Sequence, residues 1–315
     1  MRKAIIARPW QRLLPLAALL LGATIGIEFL QRADQTPFYE YQIRAAQRVL
    51  GAYRTISAYA VDIGLEFDED RDPNRTGFIG TSFSEITTTA GHLPAKRTST
   101  NPDFAAYLVR LLSQHASPNK GPVAITLSGS FPALGLASIV ACEELGLEVI
   151  LLSSVGSSSF GANRPELTWL DMERVLAEAN VIHTRTRLAS FGGAGDVGGF
   201  LSEDGRSTAL EAIQRVGVEA LLETSFEEQL AGKVSFLEHF NPQLLINIGG
   251  NAVHYGPAGH RLPSGVLEQA PVDTAELGVV GWGLESGLTV VHFLNIDDLA
   301  LRHGIAIDPV PFPTP

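Results

Sequence analysis

The sequence predicts an α/β fold, a doubly wound and mostly parallel sheet flanked by helices, set behind an N-terminal transmembrane anchor helix. Three observations carry this reading. From Gly121 onward, short apolar strands alternate with helical segments. Each strong strand runs into a small, polar, glycine-rich turn. A basic N-terminus precedes an uncharged apolar run.

The anchor comes first in the chain. Met1 to Arg12 carry Arg2, Lys3, Arg8 and Arg12 and no acid. Leu13 to Ile27 are uncharged, and Phe29 and Leu30 extend the apolar side past Glu28. Basic residues before an apolar segment hold that end in the cytoplasm. Residues 1–12 therefore read as the cytoplasmic N-terminus, 13–30 as a single-pass signal anchor in the cytoplasmic membrane, and the remainder as extracytoplasmic. The run is short against the ~20 apolar residues of an ordinary span, and Trp10, Arg12 and Glu28 suit the interfaces. A cleaved signal peptide is the competing reading. No small-x-small site precedes Gln31-Arg-Ala-Asp34, which favours the anchor.

Residues 31–66 read as a linker helix, because Tyr41, Ala45, Val49, Ala52 and Ile56 recur at helical spacing within Phe38–Ala60. Phe67 to Gly77 is rich in acids, but Pro73 stands where a calcium loop turns on glycine and no glutamate closes it. A solvated turn and no metal site are expected there. Residues 67–308 read as the α/β domain. Asp103–Leu112 is helical, with Asn101 as its cap and Pro102 at its first position. Val123–Leu127, the helix Pro132–Leu145 and Glu148–Leu152 make a βαβ unit, which requires a parallel pair and a right-handed crossover. Helices at Leu167–Ala179, Ser207–Val216 and Gln229–His239 alternate with strands at Val181–Leu188, Ala220–Leu222, Leu244–Ile248 and Leu288–Leu294. A short helix, Asn295–His303, precedes an extended Pro-rich tail at 309–315.

Composition narrows the function. The chain has 315 residues, a formal charge of −11 and one cysteine. Nucleic-acid binders are usually basic, so no nucleic-acid partner is expected. Any polyanion must find a local basic pocket, because the mean field repels it. Cys142 lies in an apolar helical run and reads as a small buried hydrophobe. No Walker motif is present, and Gly193-Ala-Gly195-Asp-Val-Gly198 matches the dinucleotide spacing only loosely. No cofactor is expected.

The turns carry the chemistry. Ligands of an open parallel sheet sit beyond the carboxyl ends of its strands. Here those ends are Ser128-Gly129-Ser130, the stretch Ser153–Asn163 with Ser157, the stretch Ala189–Gly199 with Gly193 and Asp196, and Gly249-Gly250-Asn251. Glycine admits close backbone approach, and helix N-termini add positive potential. The prediction is a pocket lined by amides and hydroxyls, suited to carboxylate or phosphate. Its candidate residues are Ser128, Gly129, Ser130, Ser157, Asn163, Gly193, Asp196, Gly250 and Asn251. The hydroxyl-rich stretch Glu85–Pro102 adds Lys96, Arg97, Thr98 and Ser99, whose two cations either meet an anionic ligand or form a solvated loop pair.

Ser128 and Ser130 are also the catalytic candidates. Neither lies in a Gly-x-Ser-x-Gly elbow. A triad would need His183, His254 or His292, with Asp196 or Asp297, brought to the serine by the fold. His292 lies in an apolar strand and reads as a hydrogen-bonded core histidine, and Ser130 before Pro132 suits a helix N-cap. A ligand cradle is the preferred reading over a nucleophile.

Longer motifs then point to a family. They are Thr87-Thr-Thr-Ala-Gly-His-Leu-Pro-Ala-Lys-Arg-Thr-Ser-Thr-Asn-Pro102, Ser128-Gly-Ser-Phe-Pro132, Gly161-Ala-Asn-Arg-Pro-Glu-Leu-Thr-Trp-Leu-Asp-Met-Glu173, Gly192-Gly-Ala-Gly-Asp196 and Asn247-Ile-Gly-Gly-Asn251. From about Tyr39 to Asp308 the chain resembles the bacterial poly-γ-glutamate system protein family. Phe160 stands where that family often has tryptophan. The resemblance implies a membrane-anchored accessory component of poly-γ-glutamate synthesis or export. Its implied partners are the polymer or its γ-glutamyl segments, and the synthase subunits. No catalytic residues are carried over from it. The alternative is a γ-glutamyl hydrolase or transpeptidase with a serine nucleophile. A sugar- or nucleotide-derived ligand rests on fold analogy alone.

Overall fold

The computed structural model describes residues 15, 17, 19–22, 38–250, 252–257, 262–269 and 273–315. The chain divides into Met1–Glu40 and Tyr41–Pro315. The expected anchor at 13–30 falls mostly outside the described residues, and no helix among the described residues is long and apolar enough to cross a membrane.

The elements run α1 (Tyr39–Asp62), β1 (Thr87–Thr89), α2 (Leu93–Ser99), α3 (Asp103–His115), β2 (Val123–Ser128), α4 (Pro132–Glu144), β3 (Val149–Ser154) and β4 (Ser157–Ser158). They continue with α5 (Trp169–Glu178), β5 (Thr186–Ser190), α6 (Glu203–Val216), β6 (Glu219–Ala220), α7 (Phe226–Phe240), β7 (Leu244–Ile248) and α8 (Ala252–Tyr255). Last come β8 (Gly265–Leu267), α9 (Gly278–Glu285), β9 (Thr289–Phe293) and α10 (Ile296–His303).

Seven strands form one sheet in the order β6-β5-β3-β2-β7-β9-β8. All pairs are parallel except β8, which runs antiparallel to β9 at the edge. The chain winds outward from β2 through β3 and β5 to β6, then returns to β7 and winds outward the other way. The switch point therefore falls between β2 and β7, where α/β sheets hold their ligands. Every residue of β2, β3 and β7 is buried, as expected of strands covered on both faces. On one face Ala124, Ile150, Leu152, Leu245 and Val290 pack with Leu237 of α7, Val253 of α8 and Val280 of α9. On the other, α4 seats so closely that a Cβ on Gly135 would lie 2.4 Å from a methyl of Leu127. Cys142 is buried within α4.

Local chemistry sets the helix ends. The Ser202 and Ser225 side chains accept the Gly205 and Glu228 N–H groups and start α6 and α7, and Asn295 does the same for α10. Gly217 and Gly304 end α6 and α10 in the left-handed conformation. Ser130 does not cap α4 as expected; Phe131 holds the cap position without a side-chain bond.

Several boundaries depart from the sequence reading. The strand expected over Val181–Leu188 begins only at Thr186, because the Glu143 carboxylate takes the His183 and Thr184 N–H groups at 2.8 and 2.7 Å. Leu93–Ser99, read as loop, is a helix with Pro94 in its first turn. Helix α9 was not expected, since Gly278, Gly281 and Gly283 weaken helix propensity. Those glycines admit close neighbours instead: a Cβ on Gly281 would lie 2.1 Å from the Thr274 carbonyl. The turn at 67–77 is held from inside, because buried Asp72 accepts from Thr76 Oγ1 and from the Gly77 N–H at 2.8 Å.

Helix α1, read as a linker, is docked. Its Arg48 pairs with Glu143 and donates to the Val181 carbonyl at 2.6 Å, and its Tyr53 hydroxyl donates to the Thr100 carbonyl at 2.8 Å. The C-terminal segment packs beside it, with Phe312 5.9 Å from the Tyr53 ring and the Pro309 carbonyl accepting from Asn74.

Candidate functional site

Beyond the carboxyl ends of β2, β3 and β7 lies a cavity of about 170 Å³. Its walls are Ser128, Ser130 and Ser154 with Gly156, Gly193 and Gly250. Thr88 and Thr89 of β1 close one side, and Phe200 and Tyr255 another. No lining side chain among the described residues carries a charge.

The turn after β2 is clamped from both sides. Ser130 N–H donates to Ser128 Oγ at 3.3 Å, and Ser158 N–H donates to Ser130 Oγ at 3.0 Å. The Gly129 carbonyl accepts from the Ala162 N–H at 2.7 Å and from Ser157 Oγ at 3.0 Å. Ser128 and Ser130 thus each accept a backbone bond and keep their own proton to donate. Neither is hydrogen-bonded to a histidine among the described residues. The next turn depends on glycine: Gly249 has φ +83°, and a Cβ there would lie 2.4 Å from Ser128 Oγ.

Strand register places two polar rows beneath this cavity. Ser128, Ser154 and Ser190 stand side by side on β2, β3 and β5. Thr126, Asn247 and His292 stand side by side on β2, β7 and β9. Side chains alternate along a strand, so Thr126 and Ser128 share a face. Thr126 Oγ1 donates to Asn247 Oδ1 at 2.9 Å. Asn247 Nδ2 therefore donates to His292 Nδ1 at 2.9 Å, which leaves the imidazole proton on Nε2. That Nε2 is buried and has no partner among the described residues. Ser154 Oγ, in the cavity wall, is likewise buried and unpartnered among the described residues.

A charged cluster closes the same face. Lys233 of α7 reaches Asp196 Oδ2 at 2.6 Å, His254 Nε2 at 2.8 Å and Ser190 Oγ at 3.2 Å. Gln229 Nε2 donates to Asp196 Oδ2 at 2.9 Å. A lysine ammonium only donates, so His254 accepts at Nε2 and carries its proton on Nδ1. Burial, with Lys233 beside it, drives His254 down to about 3. Burial takes His292 down to about 4. Burial works to raise the Asp196 carboxyl, but Lys233 and His254 outweigh it and hold the group below its ordinary value. Asp196 sits at φ +60°, in a loop where Gly192, Gly193, Gly195 and Gly198 are also left-handed. The loop thereby carries Gly193 into the cavity wall while its acid points into the cluster.

Comparison of this chain with protein-family models, curated proteins and solved structures finds no match. The site is therefore read from its own geometry.

Of the residues expected at a ligand pocket, Ser128, Ser130, Gly193 and Gly250 line the cavity. Gly129 and Ser157 build the turn beneath it. Asn163 is a buried brace that joins Thr81 and Thr87. Lys96 lies behind the wall, where it donates to the Ser130 carbonyl and to Ser158 Oγ at 2.7 Å, over the Phe131 ring at 3.8 Å. Burial lowers its ammonium to about 7. Arg97 faces away and pairs with Asp308. Thr98 and Ser99 bond back into α2. Asn251 is outside the described residues. The residues missed were Ser154, Thr88 and Thr89 in the wall, and Lys233 and Gln229 behind it. Ser154 lies in register with Ser128, which a strand running two residues past Leu152 would have signalled.

Proposed function

We propose that this protein binds the end of a γ-glutamyl chain in the cavity at the β2/β7 switch point, as a membrane-anchored accessory component of poly-γ-glutamate synthesis or export. The anchor is residues 13–30, and the synthase subunits are its partners in the membrane. The observation that supports binding is the cavity itself: three serine hydroxyls and two threonines and, among the described residues, no partner on Ser154 Oγ and no base bonded to Ser128 or Ser130. Such a wall donates hydrogen bonds to carboxylate oxygens without a reacting nucleophile. Its size sets the scale of the ligand. At about 170 Å³ it lies below the roughly 300–1,000 Å³ of drug-sized sites, so it takes one terminal group and not a length of polymer.

The test follows purified poly-γ-glutamate with the full chain in detergent. Equilibrium binding of a short γ-glutamyl oligomer is measured by calorimetry, and polymer length is followed over time. Binding that weakens in Ser154→Ala, with polymer length unchanged, is the expected result. Shortening by the wild type but not by Ser130→Ala would make the protein a γ-glutamyl hydrolase and overturn this reading.

A further inference from the structure

A second cleft, of about 420 Å³, lies away from the switch point, between α3, α10 and β8. Arg110 and His115 of α3 and Arg302 and His303 of α10 line it, with Tyr107 at its base. The His303 ring covers Tyr107 with centroids 4.4 Å apart, and the Arg110 guanidinium stands 6.0 Å from the Tyr107 ring centre. The pKa directions report the same crowding. Burial, then Arg302 and Arg110, press the His303 imidazole below its ordinary value. Arg302 and Arg110 both oppose the rise that burial gives the Tyr107 hydroxyl.

This concentration of positive charge stands out in a chain of net charge −11. Helix dipoles account for part of it, since His115, Arg302 and His303 occupy the last turns of their helices. They do not account for Arg110, which lies before the last turn of α3 and has no ion pair among the described residues. Arg302 holds one carboxylate, Asp298, through Nε and Nη2 at 2.9 Å, and Nη2 also donates to the Ser264 carbonyl, which leaves Nη1 for a ligand. Asp297 of the same helix is turned toward His92, 3.9 Å away. From β8 the cleft receives only Gly265 and Val266, neither of which titrates.

We propose that this cleft is a carboxylate-binding site, in which Arg110 and Arg302 clasp an acidic ligand beside the His303 ring. The guanidinium fork matches a carboxylate in plane. The volume falls in the range of small-ligand sites and admits a segment bearing two or three carboxylates. A nucleic acid fits less well, because the ring that would stack a base is covered by His303. That the ligand is a γ-glutamyl chain rests on the function proposed above; that it bears carboxylates does not.

The experiment is calorimetric titration of the full chain in detergent with tricarballylate, with a γ-glutamyl pentamer and with inorganic phosphate. Arg110→Ala, Arg302→Ala and Arg110→Lys are compared with the wild type, and Ser154→Ala reports on the other cavity. The expected result is tricarballylate binding that weakens with added salt and falls about tenfold or more in either alanine variant, with partial recovery in Arg110→Lys. The His303 pKa, followed by NMR, rises when ligand is bound, because the added anion offsets the two guanidiniums. Tricarballylate binding that fails at Arg110 while the pentamer does not bind at all would support the cleft and overturn the polymer reading. Tricarballylate affinity that is equal in wild type and both alanine variants, an unmoved His303, or tighter binding of phosphate would overturn the carboxylate site.

Discussion

Lys233 Nζ lies 2.6 Å from Asp196 Oδ2, and both side chains are enclosed. The contact ties α7 to the loop after β5, the loop that supplies Gly193 to the cavity. Removing one member leaves the other as an uncompensated buried charge, which costs about 3–5 kcal/mol. Lys233→Met should therefore lower unfolding stability by about that amount in urea denaturation. Lys233→Met combined with Asp196→Asn removes both charges, and Asn tolerates the left-handed backbone at that position. The double variant should recover much of the loss. A double variant as unstable as the single one would show that the charge pair is not what holds the loop.

Buried imidazoles make stability depend on acid. His254 and His292 are lowered from 6.5 to about 3 and about 4. Between these values and 6.5 the unfolded chain holds more protons than the folded one. Stability is then fully present above about 6.5 and is lost as pH falls through that window. Glu173 acts with the opposite sign. Burial raises its carboxyl from 4.5 to about 7, so the folded state holds the extra proton there and stability falls as pH rises through that window. Two histidines outweigh one glutamate below pH 6.5, and the midpoint of urea unfolding should drop as the solution is acidified. His292→Gln should flatten that slope, and Glu173→Gln should steepen it. Parallel slopes in all three proteins would contradict the assignment.

The sheet was legible because its central strands are apolar on both faces and end in glycine-rich turns. Ser128, Ser130, Gly193 and Gly250 followed from those turns, since strand ends in register must gather at one edge of a parallel sheet. The charged residues misled. Lys233 stands within a helix rich in glutamate, with no local pattern to single it out, yet it is 1% exposed. Its partners lie on a different loop and a different helix, and no local spacing announces them. Arg97 read as a free cation beside Lys96, but Asp308 lies 211 residues further along the chain. Periodicity reports which face an element buries. It does not report which distant charge arrives to meet it.

That pairing yields its own expectation. Arg97 joins α2 to the C-terminal segment through Asp308 and also donates to the Asp70 carbonyl at 3.1 Å. A hydrogen bond to a charged group contributes about 1.5–3 kcal/mol. Arg97→Ala should lower stability by an amount in that range and increase proteolysis after residue 304, with no change in ligand affinity at the switch-point cavity. A loss of γ-glutamyl affinity without a loss of stability would return Arg97 to the ligand.

Two serines three residues apart separate binding from architecture. Ser157 Oγ donates to the Gly129 carbonyl at 3.0 Å and braces the turn. Ser154 Oγ lines the cavity and has no partner among the described residues. Ser157→Ala should cost about 1 kcal/mol of stability, the net contribution of one hydrogen bond. Ser154→Ala removes a buried hydroxyl that bonds nothing among the described residues, so it should leave stability unchanged or raise it slightly, since a lone buried polar group is unfavourable. The same change should weaken binding of a γ-glutamyl oligomer by about ten- to a hundredfold, the equivalent of one lost hydrogen bond to a charged acceptor. Urea unfolding and calorimetric titration of both variants decide the matter. A Ser154→Ala protein that is destabilised yet binds normally would place that hydroxyl in the scaffold and leave the cavity without the donor on which its function rests.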